Sequence, residues 1–274
     1  MFDMVKHYIM LGIISIFVLF PFYWMFLTSV KPPEDVLLTP PVWWPTRILF
    51  DNYVRVWTSI PLTKYLINSI LYAALSTLLC ILLASFAAYS LSRLHFRFKK
   101  MSLTIIIFTQ LIPSTLILVP FYFMIYWAGL NNTIFAVVFA YTVWALPFCI
   151  LMLRSYFTSI PVSLEESATI DGCGRFGILF RIVLPISLPG IMATAIFSFI
   201  LAWNEFMWTS IVLTNSALKP LSVGLYDFVG KLGLSPVISL HMTAAVISAV
   251  PSLILFIFLQ KYLISGLAAG AVKG

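Results

Sequence analysis

Three observations predict an all-α integral membrane protein with six transmembrane helices. The 274-residue chain is 62% hydrophobic and only 9% charged, with a mean hydropathy of +1.05. A soluble domain is about a quarter charged, so most of this surface has lipid as its solvent. Uncharged runs of spanning length recur along the chain. The Lys and Arg residues fall between those runs, and they favour one side. The formal charge of +7 therefore reads as topology and not as nucleic-acid binding.

A spanning helix needs about 20 apolar residues. The first runs from Tyr8 to Ser29, within an N-terminal segment of residues 1–29. It is of spanning length and ends in FLTSVKPP, with no small-x-small cleavage pattern, so it reads as a retained helix and not as a signal peptide. The second runs from Leu66 to Leu91, between Lys64 and Arg93. Met101 to Leu153 carries no charge and is too long for one helix; AGLNNT (Ala128 to Thr133) breaks it with turn chemistry. That gives a third span from Ser102 to Met124 and a fourth from Ile134 to Leu153. The fifth runs from Val183 to Asn204 and the sixth from His241 to Gln260.

Six spans put both termini on one side. With the N-terminus inside, the inner segments hold ten of the 16 Lys and Arg residues and the outer segments six. The cluster RLHFRFKK lies in a short loop, where the positive-inside rule is strongest. Both termini are therefore expected in the cytoplasm, the C-terminal one as a tail of residues 264–274. Residues 30–65 form the longest outer loop, with Trp43 and Trp44 as interfacial belt residues. Residues 66–263 make a five-helix core. The second outer segment, Thr214 to Ser239, contains LSVGLYDFVGKLG, which suits a short interfacial helix with a glycine-bounded end. Asn131-Asn132-Thr133 is formally a glycosylation sequon, relevant only to a secretory route that nothing else supports. Pro113, Pro120, Pro147, Pro185, Pro189 and Pro251 sit in or at the ends of spans, where each removes a backbone donor and can kink its helix. They serve either static packing or a bundle that rearranges.

One charged stretch interrupts the apolar sequence: SLEESATIDGCGRFG, Ser163 to Gly177, holds three of the nine acids within seven positions. Pro161 stops the preceding helix. Ser163 and Glu166 have capping-box spacing, and Glu165 and Glu166 suit the positive end of the helix dipole. Asp171 precedes Gly172, which is placed as a C-terminal stop. A cytoplasmic helix of about two turns is predicted at residues 163–172, too short to persist without packing. Ser167 and Ala168 are small, so another surface can approach closely. The design fits a docking element, or a loop helix packed on its own bundle.

Other chemistry is poorly supported. GCGRFG matches a dinucleotide fingerprint in form but lacks the preceding strand. The glutamates are assigned to helix-start chemistry and have no His or Cys partner nearby, which argues against an enzyme. Cys80, Cys149 and Cys173 show no metal spacing, so neither a metal nor a cofactor is expected on this chain. No Walker A sequence occurs; if ATP drives the protein, another chain holds it. Glu205 is the only acid near a span. Counting from Ile182 places it about 34 Å along a helix, near the outer boundary. That position disfavours a midplane proton relay and with it the alternative of an ion-coupled secondary carrier for a small polar solute. Trp203, Asn204 and Glu205 could line an outer cavity mouth, or form an interfacial anchor at a helix end.

SIPVSLEESATIDGCGRFGILFRIVLPISLPG resembles the signature loop of binding-protein-dependent ABC importer permeases. Glu166-Ser167-Ala168 stands for E-A-A, Asp171-Gly172 for D-G, and Ile182 to Pro185 for I-x-L-P. TQLIPSTLILVPFYFMIYWAGLNNT, ALPFCILMLRSYFTSIP, AWNEFMW and the tail SGLAAGAVKG resemble the carbohydrate branch, and the shorter permease subunit of maltose-type systems in particular. Ser167 and Cys173 replace the usual alanines and are still small. The resemblance implies a type I ABC importer permease fold in the inner membrane of a prokaryote. It implies a second permease subunit, two ATP-binding subunits that carry ATP and Mg, an extracytoplasmic solute-binding protein, and a sugar or oligosaccharide as cargo. It also implies that Ser163, Glu165, Glu166, Ser167, Ala168, Asp171 and Gly172 couple to an ATPase. The outer segment near Thr214 to Ser239 would touch the binding protein and the C-terminal tail the ATPase dimer.

Overall fold

A computed structural model describes residues 2–232 and 238–271, with side chains for 4–228, 238–258 and 260. The described residues are helical with no strand. In order they form α1 (Phe2–Ser29), α2 (Pro33–Val36), α3 (Asn52–Ser59), α4 (Leu62–Arg93), α5 (Lys99–Thr109), α6 (Ser114–Trp127), α7 (Ile134–Ser159), α8 (Val162–Ile170) and α9 (Arg175–Ile178). A π turn at Leu179–Val183 leads into α10 (Leu184–Ile186), followed by α11 (Leu188–Asn204), α12 (Met207–Val212), a 3₁₀ turn at Ser216–Leu218, α13 (Leu221–Leu232) and α14 (Ile238–Ala271).

Among the described residues, four helices are long and apolar enough to cross a membrane: Met4–Ser29, Leu62–Arg93, Ile134–Ser159 and Ile238–Phe258. The expected third and fifth spans are not single rods. α5 and α6 meet at 102°, and Arg175–Ile186 meets α11 at 80°, so six spans result only if each bent pair counts as one. The cause is proline. Pro113 has no amide and holds extended backbone (φ −56°, ψ 128°) before α6, and it disfavours helical geometry at Ile112. In the fifth span Pro185 has no amide to give the carbonyl of Arg181. The ladder widens just before it, with the Leu184 amide donating to Leu179 O. Pro189 then starts α11 in its first turn, where a missing donor costs nothing.

The chain forms two compact units, Met1–Leu66 with Val223–Leu253, and Ile67–Ser222 with Ile254–Gly274. In the first, the segment expected as an outer loop is ordered. The ammonium of Lys31 is buried, donates to Val42 O at 2.5 Å and sits 4.2 Å over the Trp24 ring. The buried Asp35 carboxylate accepts from the Thr46 amide and hydroxyl, both at 2.8 Å. The carbonyl of Ser29, exposed by the end of α1, accepts from Asn52 Nδ2 at 2.8 Å and Thr243 Oγ1 at 3.1 Å. Trp43 and Trp44 are exposed. The interfacial helix expected in LSVGLYDFVGKLG is α13, and Gly224 packs so closely that an added Cβ would lie 2.3 Å from the Tyr65 ring. Its expected glycine-bounded end at Gly233, and the last three residues of the tail, lie outside the described residues.

The second unit has two apolar clusters strung along α4 and α7. One gathers Cys80, Ala84 and Ala88 of α4 with Cys149, Leu153 and Phe157 of α7, Ala168 of α8, and Leu179 and Val183 of the π turn. The other gathers Tyr72 of α4, Phe121 and Ile125 of α6, Ala136, Val137, Ala140 and Tyr141 of α7, and Trp208 and Val212 of α12. The buried contacts are rich in alanine because lipid is as apolar as leucine, so close backbone approach supplies the cohesion. Cys80 and Cys149 are small buried hydrophobes, as expected.

Candidate functional site

The charged stretch does form a short helix, but it starts differently from the sequence expectation. Ile160 is extended, as a residue before proline should be, and Pro161 (φ −58°, ψ 130°) is the N-cap of α8. Proline has no amide that needs a partner, so the cap lies two residues ahead of Ser163, which falls inside the first turn. No side-chain cap bond forms there, and the Ser163–Glu166 capping box is absent. The Ser167 hydroxyl instead donates back to Ser163 O at 2.9 Å. The stop at Gly172 is as expected. Gly172 has φ +83°, its amide donates to Thr169 O at 3.1 Å, and the Cys173 amide donates to Ala168 O at 2.9 Å. Those two bonds are the Schellman closure, with Asp171 as the C-cap.

The two faces of α8 differ. Glu165 and Ala168, three residues apart, point into the bundle and are buried. Ala168 joins the α4/α7 cluster, so it is covered by its own chain. The Glu165 carboxylate is not occupied with helix-start chemistry, which corrects the sequence expectation. It pairs with Arg93 of α4 (Nε to Oε1, 2.5 Å), and the two side chains are only 11% and 9% exposed. Arg93 Nη2 also donates to Ile160 O, the C-cap carbonyl of α7, at 2.8 Å, and Tyr89 OH lies 3.4 Å from Glu165 Oε2. Ser163, Leu164, Glu166, Ser167, Ile170, Asp171 and Gly172 are exposed. Ile170 is 87% exposed, an apolar side chain at the tip of a polar helix. Sequence reasoning missed both Ile170 and Arg93. Arg93 had been read only as a topology charge, and its one local signal was its place at the last turn of α4.

Trp203, Asn204 and Glu205 do not converge on a common opening. Trp203 is buried and stacks on Phe199 at 6.0 Å. Asn204 is exposed and donates to Ile200 O at 2.9 Å. The Glu205 carboxylate caps α12: Oε1 accepts from the Trp208 amide at 2.7 Å, and Oε2 from the Thr209 amide at 3.2 Å and hydroxyl at 2.9 Å. A carboxylate on free amides at a helix start is favourable through the helix dipole. Two further clasps order the connections nearby. Asn132 Oδ1 accepts from the Thr214 and Asn215 amides at 2.7 and 2.9 Å. Along α4, Asn68 Nδ2 donates to Ala217 O and Lys219 O at 3.0 and 3.1 Å, Tyr72 OH donates to Leu218 O at 2.8 Å, and Ser69 Oγ accepts from the Leu221 amide at 2.8 Å.

Residues 80–269, which contain α8 and both of its anchors, match the family described as binding-protein-dependent transport system inner membrane component. The chain belongs to this family. Its curated relatives match along nearly the whole length. The sulfoquinovosyl glycerol transport system permease protein SmoH of Agrobacterium fabrum is 39% identical over 93% of this chain and 89% of its own. The trehalose/maltose transport system permease protein MalG of Thermococcus litoralis is 36% identical, and the diacetylchitobiose uptake system permease protein DasC of Streptomyces coelicolor 33%; each alignment covers 96% of this chain and 94% of the relative. The fold is that of a chain in the crystal structure of a bacterial ABC transporter involved in the import of the acidic polysaccharide alginate. That chain matches with a TM-score of 0.83 at 24% identity, over 95% of this chain and 96% of that one. The resemblance drawn from the motifs thus holds for the family and the permease fold, and this inner membrane component is an all-helical one.

Proposed function

We propose that the chain is one half of the membrane pathway of an ATP-driven importer for a sugar or oligosaccharide. A second permease subunit completes the pathway, and an extracytoplasmic binding protein delivers the solute. Two separate subunits bind ATP and Mg, and this chain hydrolyses nothing itself. The class of cargo is supported by the relatives, whose names specify glycoside and disaccharide systems. A second solved neighbour, with a TM-score of 0.67, is described as an alginate transporter in complex with a periplasmic protein holding an alginate pentasaccharide. The excess of Lys and Arg on one side supports cytoplasmic termini and a cytoplasmic α8.

The observation that carries the reading is the two-faced geometry of α8. A helix this short does not persist alone. Here one face is anchored by Glu165 and Ala168, while Leu164, Glu166, Ser167, Ile170 and the Gly172 turn are presented outward. That is what a helix needs if it is to sit in a cleft of an ATP-binding subunit and move with it. An ion-coupled carrier gains no support, since the acid nearest a span, Glu205, is held as a helix cap.

The test is to purify the assembled transporter with Ile170→Asp or Gly172→Leu. The expected result is loss of the ATP-binding subunits from the complex, with the two permease chains still paired. Wild-type uptake together with full retention of the ATP-binding subunits would overturn the docking role.

A further inference from the structure

Among the candidate spans, α4 alone is uninterrupted by proline: Pro21 lies in α1, Pro120 in α6, Pro147 in α7 and Pro251 in α14, while Pro185 and Pro189 flank the 80° break of the fifth. α4 also contains no glycine. From Asn68 to Arg93 it is one unbroken helix, about 38 Å long. Each end of that rod carries a directional joint. At one end the Arg93 guanidinium binds Glu165 of α8 and the carbonyl of Ile160. At the other, Asn68, Ser69 and Tyr72 hold the backbone of residues 217–221 through four hydrogen bonds.

We infer that α4 is the rod that links displacement of α8 to the 217–221 connection, with Arg93 and the Asn68–Tyr72 set as its positioning residues. This inference rests on the proposed docking role of α8 and on the expected outer position of residues 214–239. Apolar contacts such as that of Ala168 can slide, because packing is not directional. An ion pair with one fixed fork and two acceptors on different helices resists both shear and rotation. The pair is nearly dry, so separating it would leave a charge buried without a partner, and the joint moves as a unit or fails outright. The rod has no proline or glycine at which to bend, so an axial or rotational push at Arg93 reaches Asn68. Coupling of this kind is reciprocal: the 217–221 connection, when loaded from outside, pushes back on α8.

The measurement is made on the assembled transporter in proteoliposomes with its binding protein, recording hydrolysis with and without the loaded binding protein, and solute taken up per ATP. Arg93→Gln is expected to retain the ATP-binding subunits but to lower the stimulation of hydrolysis by loaded binding protein about fivefold or more, the usual range for coupling between sites. The exchange Arg93→Glu with Glu165→Arg should restore part of it. Asn68→Ala with Tyr72→Phe, at the far end, should lower the stimulation likewise. Normal stimulation in Arg93→Gln overturns the inference. So does loss of the ATP-binding subunits in Arg93→Gln, because the pair would then only shape the docking surface. So does normal stimulation in the Asn68/Tyr72 variant. Failure of the docking reading looks different: the Ile170→Asp and Gly172→Leu complexes would then keep their ATP-binding subunits and wild-type uptake.

Discussion

The second and fifth spans have similar composition and opposite geometry. α4 runs for 32 residues without a break. The fifth is divided into α9, a π turn, α10 and α11 within 30 residues, with an 80° bend at Ser187. Both bury small residues against α7, and both join the same apolar cluster. What separates them is two prolines four residues apart, Pro185 and Pro189. In a membrane, freed backbone groups need partners within the protein, so a break persists only where the neighbours satisfy it. Here the Ser187 amide still donates to Val183 O, and the Ile191 amide to Ser187 O, both at 2.9 Å. A continuous span and a broken one are thus distinguished by a pair of proline rings.

The strongest way to break this comparison is to give α4 what the fifth span has. Ala84→Pro places a proline mid-helix at a fully buried position. It should cost about 3 kcal/mol or more, lower the thermal melting point markedly and abolish uptake. A melting curve close to wild type would show that an unbroken α4 is not required for the fold. Next comes Gly190→Leu. A Cβ there meets the Tyr156 ring at 2.4 Å, so the bend of the fifth span should be forced away from α7 at a cost of about 1–3 kcal/mol. Combining it with Tyr156→Ala should recover part of the loss, and additive melting shifts would refute the contact.

Gly172→Val tests α8 and not the spans. The site is spatially open, but φ is +83°, so a branched residue strains the turn by about 1–2 kcal/mol. Because the strain is local, the bundle should melt normally while uptake falls; equal losses of both would place Gly172 in the core fold. The smallest effect is expected from Glu205→Gln. The amide keeps an acceptor for α12 and loses the charge that complements the helix start, about 0.3–1 kcal/mol. As a helix cap, Glu205 should matter little to either assembly or uptake; a large loss of uptake in a normally assembled complex would give it a role in transport instead.

Hydropathy made the spans legible, and turn chemistry made the end of α8 legible: Gly172 closes it as its type dictates. The breaks near Pro113 and Ser187 were not legible. A window of twenty residues averages across them, and proline alone does not distinguish a kink from a right-angle turn. The start of α8 misled because Ser-x-x-Glu has capping-box spacing wherever it falls, and only the placement of Pro161 decides which residue is the cap. The Arg93–Glu165 pair spans 72 residues of sequence, and no local pattern reports a contact at that distance. The role expected for Glu165 went wrong for the same reason, since its true partner was counted with the topology charges.

The division of α8 into an anchored and a presented face also separates inheritance from choice. Glu165 and Ala168 answer to Arg93 and to the α4/α7 cluster, so they must agree with the rest of their own chain. Leu164, Glu166, Ser167 and Ile170 lie on the exposed face of the helix. Under the docking reading they form an address that can be rewritten without refolding the bearer. Exchanging those four side chains for those of a relative should redirect the permease to that relative's ATP-binding subunits, in a single step that leaves every span untouched.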